Sequence, residues 1–120
     1  MMLKLDARQE ALLRLPDPFS FLPRLAAETR RDLPERVMGL DDAALLAETD
    51  RCYTYAAYEL GITHLPTLVA WTKVDVGSGG ELHRNVEVDI AMRHADKPNI
   101  QAADLLGALV ALHRWSRDNV

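Results

Sequence analysis

Residues Lys73 to Asn85, KVDVGSGGELHRN, place three glycines, a serine, a histidine and an arginine in one short stretch. Such a segment could cradle an anion on backbone N–H groups or carry a nucleophile on a sharp turn. Neither pattern closes. A phosphate loop of the form G-x-x-x-x-G-K-[ST] needs a lysine and a hydroxyl after its last glycine, whereas Gly80 is followed by Glu81 and Leu82. A nucleophile elbow needs glycine two positions before the serine, and Val76 stands there before Ser78. Asp75 and Glu81 flank the glycines and would repel phosphate. The segment reads as a flexible inter-helix loop over 76–82.

Metal chemistry is the next possibility, since His64, His83, His94 and His113 offer imidazole nitrogens. None is spaced as H-x-x-x-H or H-E-x-x-H, and Cys52 has no second cysteine with which to build a thiolate site. His113 lies beside a leucine face and reads as a boundary residue, and His64 as a first-turn helix residue. The expectation is no metal and no cofactor. Acid/base work fares no better. Asp41, Asp42, Glu87 and Asp89 stand where helix capping or solvated helix faces account for them, so no catalytic residue is assigned.

Punctuation divides the chain into about six segments. Asp6 with Gln9 three residues on forms a capping box for a helix to about Arg14, which LPDP ends. In SFLPRLAAETRRDLP, Ser20 can cap with Pro23 in the first turn. THLPTLVAWTKV repeats that grammar with Thr63 and Pro66. The best-marked element runs from Asp41, as N-cap, to Leu60, with Gly61 as a left-handed residue beyond its end. At 100° per residue, Leu45, Leu46, Thr49, Cys52, Tyr53, Ala56, Ala57 and Leu60 share its apolar face, which makes Cys52 a small buried hydrophobe. In ELHRNVEVDIAMRHA, Val86, Val88, Ile90 and Met92 alternate like a strand, while Leu82, Val86, Ile90 and Arg93 fit a helix. A helix is expected, because one strand in a helical chain has no partner. The last helix is expected from Asn99, as cap, to about Arg117. Ala102, Leu105, Leu106, Leu109 and Leu112 form one of its faces. Ala103, Gly107 and Ala111 form a second, close-packing face, through which a homodimer could assemble, and contacts on both sides would make this helix central.

On the Asp41 helix, Arg51, Tyr55 and Tyr58 follow i, i+4, i+7 and point away from the apolar face. Arginine and tyrosine anchor protein interfaces, which makes this stripe the candidate partner-binding surface. The alternative is that the tyrosines pack under the glycine loop or an N-terminal helix of the same chain.

The chain has 120 residues, enough for one domain that buries roughly two thirds of its unfolded surface. Apolar residues at 48% and charged residues at 27% place it among globular chains. A formal charge of −4 argues against a nucleic-acid footprint, which gathers lysine and arginine on one face. A single cysteine gives no disulfide framework, MMLKLDARQE lacks the apolar core of a signal peptide, and the uncharged run Leu105 to Leu112 is far short of the ~20 residues that span a bilayer. A cytoplasmic protein without membrane insertion is expected.

The order of elements adds a resemblance. LDDAALLAETD opens the long helix, YELGI closes it, and a helix, a short glycine-containing loop and a further helix follow. This order resembles small helical proteins encoded beside type VI secretion effector genes, over most of the chain. The resemblance implies an accessory, adaptor or chaperone-like partner of a secreted effector, with no enzymatic residues to carry over. An immunity protein that neutralises a toxin shares the same features, and a small enzyme with a site near the glycine loop is the remaining alternative. The reading is an all-α, single-domain bundle of about five to six helices that binds another protein, an effector or toxin, without catalysis.

Overall fold

The protein, described by a computed structural model over residues 6–118, contains helices and no strand among those residues. The side chains of Arg8 and of 110–118 lie outside that description. The elements are α1 (Ala7–Leu13), α2 (Pro18–Asp32), α3 (Asp42–Thr54), α4 (Leu65–Gly77), α5 (Glu81–Arg84), α6 (Val86–Arg93) and α7 (Pro98–Asp118). A π-helical turn, Tyr55–Glu59, continues α3. The all-α bundle is as expected, with seven helices rather than five or six. The additional one arises at Asn85, whose extended backbone ends α5 and whose side chain accepts the Val88 N–H at 3.0 Å to start α6.

Local capping holds where the sequence expects it at α1 and α3. Asp6 and Gln9 form the capping box, and the Asp41 carboxyl accepts the Ala44 N–H at 2.8 Å. Gly61, at φ 77°, turns the chain out of the π-helical turn in a conformation glycine adopts without strain.

Three expectations about helix starts are corrected. The N-cap of α2 is Asp17, followed by Pro18 in the first turn, so Ser20 lies inside the helix and Pro23 further in. Asp-Pro supplies both a side-chain acceptor and a preset φ, and this outweighs the weaker serine. Thr63 does not cap α4. His64 holds that position with Pro66 in the first turn and no side-chain cap, and the segment leading into the helix is held from far along the chain. The Asn99 amide oxygen accepts the Thr63 N–H at 2.7 Å and the His64 N–H at 2.9 Å, while its nitrogen donates to Thr63 Oγ1 at 3.1 Å. Asn99 is therefore not the cap of α7, which already begins at Pro98. It ties the start of α7 to the start of α4. Asn99→Ala is expected to cost about 1–3 kcal/mol, because two donors lose their partner in a half-buried setting. A urea midpoint within experimental error of wild type would refute that role.

The core lies between α3 and α4, which pack on each other while α2 lies against both. Trp71, Tyr53, Leu25, Ile62, Leu68 and Met92 fill one part, and Ala26, Val37, Leu45, Cys52 and Val76 the other. The last helix is not the central element. It packs on α4 and α6, Ala103 and Gly107 are exposed, and a Cβ at Gly107 would meet nothing within 4 Å. The third residue of that face, Ala111, has its side chain outside the described ones.

Lys73 joins α4 to α2 through Asp32 at 2.9 Å and Glu28 at 3.2 Å. Burial alone would lower its ammonium, yet the hydrogen bonds to Asp32 and Glu28 raise it overall. Asp32, hydrogen-bonded first to Arg31 and then to Lys73, is held down to about 2.

Candidate functional site

The stretch Lys73 to Asn85 is largely helical, and this changes what it can do. Helix α4 runs through Gly77, so only Ser78, Gly79 and Gly80 remain between helices, a shorter joint than 76–82. Gly79 and Gly80 adopt φ 69° and 84°, and the Gly80 N–H returns to the Asp75 carbonyl at 2.8 Å. This tight reversal folds α5 back onto the last turn of α4.

Asp75 is the residue this reversal serves. Helix α4 buries Leu68, Trp71, Thr72, Asp75 and Val76, an i, i+3, i+4, i+7, i+8 stripe, so Asp75 occupies a core position and is fully buried. Its Oδ1 accepts the His83 N–H at 3.1 Å, and its Oδ2 lies 2.8 Å from His83 Nδ1. Ser78 supports the turn by donating to the Asp75 carbonyl at 2.9 Å and accepting the Leu82 N–H at 3.3 Å. Cys52, fully buried on α3, completes the cluster: its Sγ, an Asp75 oxygen and a His83 ring nitrogen lie within 4.8 Å of one another. The Cys52 thiol donates to Glu48 Oε1 at 3.7 Å, and Glu48 in turn pairs with Arg51 at 2.9 Å.

Nucleophilic chemistry does not fit this geometry. Burial first, and then the neighbouring carboxyl groups of Asp75 and Glu48, push the Cys52 thiol far above its ordinary value, the reverse of what an attacking thiolate needs. No surface of Cys52 is open to a substrate. A soft sulfur, an imidazole and a carboxyl group are, however, a donor set that a transition metal takes.

The stripe read from the sequence lies next to this cluster. Arg51, Tyr55 and Tyr58 line one shallow groove of about 490 Å³ with Asp50, Thr54 and Glu59. Arg51 is exposed and Tyr58 is 52% exposed, but Tyr55 is half-buried and engaged within the chain. Its hydroxyl donates to Asp89, its ring lies 5.2 Å from that of His83, and Arg93 donates to its hydroxyl at 3.2 Å. Burial and then the Asp89 hydrogen bond raise the Tyr55 hydroxyl, while the same hydrogen bond lowers Asp89. Asp89 is thus a partner of Tyr55 and Arg93 rather than a merely solvated acid.

The other histidines serve local ends. His64 Nδ1 lies 2.8 Å from Thr67 Oγ1, and His94 Nδ1 lies 2.9 Å from the Ile90 carbonyl. The His113 side chain lies outside the described ones. Asp41 caps α3, and Asp42 pairs with Arg30 at 3.4 Å on the surface. No helix of the described residues is long and apolar enough to cross a membrane. No family model, curated protein or solved structure matches the chain.

Proposed function

We propose that the protein is a binding accessory that docks another protein on the groove formed by Arg51, Tyr55 and Tyr58. The observation carrying this reading is an exposed arginine and a half-exposed tyrosine in one groove, backed by a tyrosine that the chain itself holds in place. A tyrosine whose hydroxyl and ring are already fixed loses little freedom on binding, which favours affinity. Asp50 and Glu59 on the walls suit a partner segment carrying basic residues beside an apolar face. The resemblance of LDDAALLAETD and YELGI to proteins encoded beside type VI secretion effector genes supports a secreted effector or toxin as that partner.

The test uses Arg51→Ala/Tyr58→Ala and leaves Tyr55 in place because of its internal bonds. Bound proteins are recovered from source cells with wild type, identified, purified and rebound by calorimetry. The variant is expected to lose about 2 kcal/mol or more of binding, with a urea midpoint shifted by no more than about 0.5 kcal/mol. Equal affinity of variant and wild type would remove this face as the docking surface.

A further inference from the structure

We propose that Cys52, Asp75 and His83 form a largely buried site for one divalent transition-metal ion of the zinc class. The three donors come from α3, α4 and α5, which explains why spacing along the chain gave no sign of them. Their atoms already lie within 4.8 Å of one another, and tetrahedral zinc with its usual bond lengths calls for an inward movement of about 1 Å. Glu48 Oε1, 3.7 Å from Cys52 Sγ, stands at the edge of this group of three rather than within it.

The surroundings fit a held ion better than an open catalytic one. Asp75 Oδ1 is fixed by the His83 N–H, which orients the carboxyl group as outer hydrogen bonds do in metal centres, and the ion would replace the 2.8 Å contact between Oδ2 and His83 Nδ1. Glu48 keeps its second oxygen on Arg51, so that guanidinium moderates the negative charge gathered around the ion. Room is provided by Gly80, where a Cβ would lie 2.9 Å from His83 Cε1 and 3.4 Å from Glu48 Oε1. Cys52 and Asp75 are fully buried and the His83 side chain is 17% exposed, so protein makes up most of the ion's surroundings and a structural role fits better than an open catalytic one. On binding, the metal–sulfur bond replaces the thiol S–H, whose proton leaves to solvent, and neutral imidazole donates its nitrogen lone pair to the ion. A thiolate and an imidazole in the set select against magnesium and calcium, which take oxygen donors. The bound ion would lock α3, α4 and α5 together directly behind Tyr55, whose ring rests on His83.

The test adds cobalt(II) chloride alone to tag-free, chelator-treated protein and follows the visible and near-ultraviolet spectrum, then displaces cobalt with zinc. Wild type is expected to bind one ion per chain with a thiolate-to-cobalt charge-transfer band and tetrahedral d–d absorption. Cys52→Ser and His83→Gln, each checked for helix content by circular dichroism, are expected to weaken binding by about 100-fold or more. His94→Gln is expected to bind as wild type does. Wild-type protein showing no thiolate band overturns the site, whatever the variants do, and identifies the cluster as a metal-free clamp. A band that survives in Cys52→Ser, or that is lost equally in His94→Gln, overturns it too.

Discussion

Asp75→Ala is expected to remove about 3 kcal/mol or more of stability, a large share of the 5–15 kcal/mol typical of a whole domain. Asp75 is fully buried, and its two oxygens satisfy both the His83 backbone N–H and the His83 ring. Truncation strands those groups in the interior, at about 1–3 kcal/mol for each donor left without a partner, and opens a small void beside Cys52. Asp75→Asn separates these contributions. It keeps an oxygen for the His83 N–H but presents an amide N–H₂ where Oδ2 stood, so a cost of about 1–2 kcal/mol is expected. Urea unfolding of chelator-treated protein measures both, and hydrogen exchange at the His83 amide locates the loss. An alanine variant as stable as wild type would show that α5 does not depend on this clamp.

The same residue shows where sequence reasoning stopped. Asp75 stands one helical turn beyond Trp71 and Thr72 and two beyond Leu68 on a single stripe, and that signal was present in the chain. A helix taken to end before the glycines hides it, since an aspartate beside V-G-S-G-G then reads as loop. Features decided within one turn of helix were legible: the Asp6–Gln9 box, the Asp41 cap and Gly61. Features decided across the fold were not. Asn99 ties down the Thr63–His64 segment that leads into a helix far back in the chain, and the Cys52, Asp75 and His83 cluster exists only once α3, α4 and α5 are packed. Tyr55 illustrates the halfway case. Its place on the stripe followed from helical period, whereas its bond to Asp89 required α6 to come against the π-helical turn. The π-helical turn that begins at Tyr55 was not legible either, although such turns recur at functional sites.

Trp71→Ala is expected to have an effect of similar size for a different reason. The indole is fully buried in the cluster of Tyr53, Leu25, Ile62, Leu68 and Met92, where α4 meets α2 and α3. Its loss combines lost transfer energy with a cavity that the flanking helices close only in part, at about 3–5 kcal/mol. Trp71→Phe is the informative companion. Trp71 Nε1 has no hydrogen-bond partner among the described residues, so phenylalanine breaks no bond and gives up volume alone. A cost of about 1–2 kcal/mol is expected for it. Urea midpoints of the two variants, compared with wild type at equal slope, decide the matter. If phenylalanine proves as damaging as alanine, the indole N–H is contributing a bond, and the packing account of this position fails.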